Sequence, residues 1–151
     1  MKKLLLSIFT ILVLQLLLNC SSLMNENSAS TAKNPHIQRE WMMIAFENFA
    51  KADLIKMNAK INLTEPAKDG KINGKALMGC NEIFFSSEFK NNGKVKISEI
   101  SSTEKACPDM KLEDDFSKTF KNITNFKVEG HFLTLTDNQG NSMKFIAADW
   151  D

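Results

Sequence analysis

Residues 72–89 read "INGKALMGCNEIFFSSEF". Ile72, Gly74, Ala76, Met78 and Cys80 recur at every second position, which puts them on one face of an extended strand. Glycine inside such a run, here Gly74 and Gly79, marks a bulge or a close approach of another chain segment. "EIFFSSEF" carries on as a second strand, and "KVKISEI" (94–100) makes a third. Asn92-Gly93 between them is a strong hairpin signal. The middle of the chain is therefore an antiparallel meander.

The pattern extends to both sides. "EWMMIAF" (40–46) reads as a strand with Trp41 or Met42 facing the core, and "MNAKINL" (57–63) alternates Met57, Ala59, Ile61 and Leu63. The turn formers Lys68-Asp69-Gly70 precede the opening stretch. After residue 107 the period changes. Leu112, Phe116, Phe120 and Ile123 fall at spacings of four, four and three, one face of a helix that Pro108-Asp109 can start. Glu113, Asp114 and Asp115 lie early in it and Lys118 and Lys121 late, as the helix dipole favours. "NFKVEGHFLTLTD" (125–137) and "SMKFIAA" (142–148) read as two closing strands, with Gly130-His131 a kink or turn inside the first. Many short strands joined by tight turns favour one sheet that curls until its edges meet. The expected fold is mainly β (α+β). It is a small antiparallel β-barrel or strongly curled sheet of about seven or eight strands, with one helix packed across an opening.

The chain begins "MKKLLLSIFTILVLQLLLNCSS". Lys2 and Lys3 precede an apolar run from Leu4 to Leu18, the layout of an export signal. The run is shorter than the roughly 20 residues of a membrane-spanning helix. Leu17-Leu18-Asn19-Cys20 resembles the lipobox of bacterial lipoproteins, in which cleavage falls just before a cysteine that carries lipid. Asn19 departs from the usual small residue of that motif. Three parts are thus expected: a signal peptide over 1–19, a flexible tether over 20–38 beginning at lipidated Cys20, and a folded domain over 39–151. The tether is rich in Ser, Asn and Ala and shows no apolar period. The expected location is the bacterial cell envelope, the outer membrane rather than the inner, with the domain in the periplasm or at the cell surface.

The formal charge is +1 over 151 residues, and removal of Lys2 and Lys3 leaves 17 basic against 18 acidic side chains. No basic run is dense enough for a nucleic-acid surface. Asn-x-Thr triplets at 62–64 and 122–124 are glycosylation sites only in a eukaryotic secretory route, and the lipobox argues for a bacterium.

Catalytic patterns are sparse. His36 lies in the tether, and His131 has no histidine or cysteine partner at metal-ligand spacing. No Gly-x-Ser-x-Gly elbow is present. The acidic run Leu112-Glu113-Asp114-Asp115 reads as a solvated helix start before it reads as a cation site. Eleven Phe and two Trp suit a filled barrel core rather than a ligand cavity, and Trp150 either closes the barrel or lies free. No cofactor and no metal is expected. With Cys20 acylated, Cys80 and Cys107 are left in an oxidising compartment, where a disulfide between them is expected, and two buried free thiols or two reduction-sensitive thiols are the alternatives.

Three stretches together resemble the META domain family, which includes the heat-shock lipoprotein HslJ. They are "INGKALMGCNEIFFSSEF", "ISEISSTEKACPDMKLEDDFSKTF" and "VEGHFLTLTDNQGNSMKF". The pattern consists of Gly79-Cys80-Asn81, Thr103 with Ala106-Cys107, Glu113 and Phe116 in the helix, then Leu133-Thr134-Leu135 before a glycine turn. Phe85, Ser86 and Ser87 stand where the family often has a glycine. The resemblance implies a non-enzymatic envelope lipoprotein linked to envelope stress or antibiotic tolerance. It assigns Gly79, Asn81, Thr103, Glu113 and Phe116 structural roles. A small-molecule carrier using the barrel interior, or a partner-binding or inhibitor module, are the alternatives. The expected contacts are the membrane through the lipid anchor and an unidentified protein or small molecule.

Overall fold

A computed structural model describes residues 36–150. The expected signal peptide, Cys20 and most of the expected tether fall outside these residues. The elements in order are β1 (Glu40–Phe46), α1 (Lys51–Lys56), β2 (Lys60–Asn62), β3 (Ile72–Leu77), β4 (Glu82–Phe89), β5 (Val95–Ser102), α2 (Lys111–Phe120), β6 (Ile123–Glu129), β7 (Phe132–Asp137) and β8 (Ser142–Ala147).

The eight strands form one sheet in the order β5-β4-β3-β2-β1-β8-β7-β6. Each neighbouring pair is antiparallel. The two outer strands almost meet. Lys94 bridges Asn125, the Phe126 N–H donates to the Gly93 carbonyl at 2.8 Å, and Lys94 Nζ donates to Asn125 Oδ1 at 2.7 Å. Phe89 and Phe126 pack edge to face across this seam at 4.9 Å. The result is a nearly closed barrel, in which little strand edge is left unpaired.

Inward-facing side chains from most strands fill the interior. Trp41, Met43, Phe46, Ile61, Leu63, Ile83, Leu133, Leu135, Met143 and Phe145 are all buried. Trp41, not Met42, faces inward, and its indole N–H donates to the Ile37 carbonyl at 2.9 Å, so its polar atom is satisfied in the core.

Gly74 owes its lack of a side chain to packing. A Cβ there would collide with the ring of Phe85 on the neighbouring strand, and would stand 3.0 Å from Leu63 Cδ2. Phe85 uses that space to meet Phe120 of α2 edge-on at 4.8 Å, and Phe116 stacks on Phe120 at 4.7 Å. The apolar stripe Leu112, Phe116, Phe120 is fully buried, so α2 closes one opening of the barrel as the helical spacing predicts.

Two elements differ from the sequence expectation. The stretch 125–137 is a hairpin, not one strand. Glu129 pairs with Phe132 across a two-residue turn whose first position, Gly130, has φ +58°. The helix is therefore followed by three strands. The segment after β1 forms the six-residue α1, which buries Leu54 alone. One anchoring residue in two turns leaves no period to read.

The barrel has two distinct ends. β1 begins, β8 finishes and the Gly130-His131 turn lies at one of them, where the Ala148 N–H bonds the Glu40 carbonyl at 2.9 Å and the Ala147 N–H bonds the His131 carbonyl at 2.9 Å. Gly79-Cys80-Asn81 and the β7–β8 turn lie at the other.

Candidate functional site

The residues of the Gly-Cys-Asn pattern meet in one buried knot. β3 ends at Leu77, and Gly79 turns the chain with φ +106°, a conformation side chains seldom adopt. The turn sends Cys80 and Asn81 inward, where both are buried. Asn81 is the hub. Its Oδ1 accepts from the Lys105 N–H at 2.7 Å and from the Thr103 hydroxyl at 2.8 Å. Its Nδ2 donates to Glu113 Oε1 at 2.9 Å and to the Lys105 carbonyl at 3.3 Å. The Asn81 backbone N–H donates to Glu113 Oε2 at 2.7 Å.

Thr103 continues the network. Its Oγ1 accepts from the Glu82 N–H at 3.2 Å, and its own N–H donates to the Glu82 carbonyl at 3.0 Å. A disulfide joins Cys80 to Cys107, with their Cα atoms 6.3 Å apart. Three stretches are thereby fastened together: the β3–β4 turn, the segment from β5 to α2, and the first turn of α2. Phe116, one helical turn on from Glu113, is fully buried below.

The acidic run at the start of α2 divides into three roles. Glu113 is only 6% exposed, with both carboxylate oxygens bonded to Asn81. A buried carboxylate is tolerated where charge-assisted hydrogen bonds replace water. Asp115 bonds Lys111 at 2.6 Å and lies 3.7 Å from Lys118. The hydrogen bond from Lys111 holds its carboxyl below the usual range, and the same bond raises Lys111. Asp114 points to solvent. Among the described residues no group of three or more His, Cys, Asp or Glu side chains is arranged to hold a metal ion. The N-cap position is Met110, which makes no side-chain cap bond; Asp109, one residue earlier, accepts from the Lys111 N–H at 3.1 Å through Oδ1.

Open depressions lie elsewhere on the described residues. On the outer wall, Asn73 and Lys75 of β3, Phe84 and Ser86 of β4 and Glu99 of β5 line a groove of about 330 Å³. A second depression, of about 420 Å³, lies at the opposite end of the barrel from the Asn81 knot, between His36, Arg39, Val128, Gly130 and His131. There the His131 ring is stacked on Trp150, centroids 3.2 Å apart and 18° from parallel. Its Nδ1 is buried with no hydrogen-bond partner. Trp150 therefore covers His131 rather than plugging the barrel.

Sequence reasoning gave His131 no partner, because Trp150 lies far along the chain. It also missed Asp137. That residue organises the β7–β8 turn by accepting from the Gln139 and Asn141 N–H groups at 2.8 and 2.9 Å and from Asn141 Nδ2 at 2.7 Å. These bonds, the one from Asn141 Nδ2 foremost, hold its carboxyl below the usual range. The sequence signal was present: Asp-Asn-Gln-Gly-Asn is a run of turn formers headed by a side chain that bonds backbone two residues on.

Comparison with known proteins agrees with this arrangement. The protein-family model described as META domain matches residues 35–150. Solved structures share the fold, two of which serve as examples. One is the NMR structure of a protein from Burkholderia xenovorans, 18% identical, with a TM-score of 0.60 over 74% of this chain and 83% of that one. The other is the crystal structure of a DUF4847 family protein from Bacteroides vulgatus, 13% identical, with a TM-score of 0.50 over 76% of this chain and 94% of that one. No curated protein matches the sequence. With the family model spanning the whole barrel and the Gly-Cys-Asn, Thr, Cys and Glu positions joined in one knot, the chain belongs to the META domain family.

Proposed function

We propose that the protein is a lipid-anchored bacterial envelope lipoprotein whose META domain acts by binding or by supporting the envelope, without catalysis. The observation that carries the non-catalytic part is the direction of the motif's polar atoms. Asn81, Thr103 and Glu113 bond one another and neighbouring backbone, and Asn81 and Glu113 are buried. A general acid or base must reach a substrate proton. A carboxylate with both oxygens committed inside the fold serves position instead.

The anchoring part rests on sequence: Lys2 and Lys3, the apolar run to Leu18, and Cys20 followed by two serines. Several acyl chains on Cys20 would hold the domain stably on a membrane. The resemblance to HslJ adds an expected role in envelope stress or antibiotic tolerance. The carrier alternative has less support, because Trp41, Phe116, Phe120 and Phe145 occupy the barrel interior.

The test is processing and rescue. The mature protein should begin at an acylated Cys20, and Cys20→Ala should leave uncleaved precursor. Folded, lipidated variants at His131 should still rescue cells lacking the gene under envelope stress. Normal processing of Cys20→Ala together with a lipid-free wild type would reject the anchor. Loss of rescue together with loss of a measurable turnover in a folded variant would reject the non-catalytic reading.

A further inference from the structure

We propose that the barrel end bearing Trp150 and Phe132 rests on the bilayer surface, so that the anchored domain is held in one orientation. The proposal builds on the lipid-anchor reading above and adds a face, an occupant and a direction. The occupant is the interfacial layer of a zwitterionic bilayer.

Four large apolar side chains are exposed among the described residues: Ile55, Ile100, Phe132 and Trp150. Two of the four, Phe132 and Trp150, belong to the same end of the barrel. Trp150 stacks on His131, and Phe132 is the next residue. Trp150 is 51% exposed, so one side of the indole is seated on the protein and the other is offered outward. A seated, outward-facing indole suits the headgroup region, where Trp is enriched because its ring is apolar and its N–H is polar. Lys144 Nζ lies 4.7 Å from the Phe132 ring centroid, and a lysine stem beside an aromatic ring can lie along apolar surface while its charge stays in water.

The position of this end decides the occupant. The chain enters the barrel here, through His36 and buried Ile37. Residues 21–35 separate this point from Cys20. A coil of about 15 residues has an end-to-end distance of roughly 20 Å. A lipid on Cys20 therefore tethers the domain by this end, with the Asn81 end farther from the bilayer on average. At so high an effective concentration a patch far too weak to bind membrane alone is enough to set orientation.

Charge favours a zwitterionic surface over an anionic one. Arg39 is paired with Asp149 at 2.8 Å and Lys127 with Glu129 at 2.8 Å, so beside the single charge of Lys144 the neighbouring cations are offset by carboxylates. Contact is therefore by aromatic insertion.

The protein's two tryptophans make the test direct, since Trp41 is wholly buried. The full lipidated chain is reconstituted in phosphatidylcholine vesicles with or without bromine high on the acyl chains, and flotation first confirms that it is bound. Bromine should remove the Trp150 share of the emission, and Trp150 should be shielded from iodide. Trp150→Phe should abolish the quenching. In that background Gln139→Trp, in the exposed β7–β8 turn at the far end, should give emission that bromine does not touch and iodide does. Vesicle-bound wild type with undiminished emission and an iodide-accessible Trp150 would overturn the proposal. So would equal quenching at position 139. A wild-type chain that does not float with vesicles at all would instead reject the anchor, and the proposal with it.

Discussion

Replacing Asn81 with alanine removes the hub of the buried knot while leaving its backbone bond to Glu113 in place. Three short bonds disappear: those from Lys105 N–H and the Thr103 hydroxyl to Oδ1, and that from Nδ2 to Glu113 Oε1. A neutral bond contributes about 1 kcal/mol net and a bond to a charged group about 1.5–3 kcal/mol, so the loss is roughly 3–5 kcal/mol. A domain of this size has about 5–15 kcal/mol in total. At about 4 °C per kcal/mol the melting temperature should fall by roughly 12–20 °C. Urea unfolding with the disulfide intact measures the cost. Asn81→Asp is the sharper control. It retains the Oδ1 acceptor but turns a second carboxylate toward Glu113. Two carboxylates facing each other in a buried site repel, so Asn81→Asp should be less stable than Asn81→Ala. An Asn81→Ala domain within about 1 kcal/mol of wild type would refute the reasoning, since no buried group of that kind can lose its partners so cheaply.

Other perturbations separate the remaining contributions. Cys80→Ala with Cys107→Ala opens a loop spanning 27 residues, and loop-closure entropy sets the loss at roughly 3.5 kcal/mol. Peptide mapping without reductant should recover the linked pair from wild type, and two alkylatable thiols would contradict the bond. Phe116→Ala should cost about 3–5 kcal/mol by leaving a cavity under α2, and an unchanged melting temperature would mean that the helix does not seal the barrel. Asp115 and Asp137 both have depressed carboxyl groups, Lys111 and Asn141 respectively being the main causes. Each therefore stabilises the fold above the unfolded carboxylate value of 3.8, and that contribution is lost as pH falls through the lower folded value. Melting temperatures recorded below about pH 4 should decline, and Asp137→Asn should flatten the decline.

The barrel was legible where its strands alternate cleanly, as in β3, β7 and β8. Ile72, Gly74, Ala76 and Met78 all point inward as spaced. The same is true of the helical stripe, whose four-residue spacing survives as Leu112, Phe116 and Phe120 against Phe85. Legibility failed where the cause lies far along the chain. Glu113 reads as one of three solvated acids, and only its meeting with Asn81, 32 residues away, makes it a buried anchor. At Gly130-His131 the sequence offered a kink or a turn, but apolar alternation on both sides did not show that two residues suffice to split the stretch into two strands. Gly74 announced a close approach, but not that Phe85 would fill the space.

The central claim is that the polar residues of the family pattern hold the helix on the barrel. A double-mutant cycle between Asn81 and Glu113 tests it most directly, with urea unfolding of wild type, Asn81→Ala, Glu113→Ala and the double variant. Two side chains that bond each other in a buried site should couple by about 1–3 kcal/mol, so the double variant should lose clearly less than the two single losses combined. Additive losses would contradict the claim, because they would mean that Asn81 and Glu113 act separately and that the knot does not fasten α2.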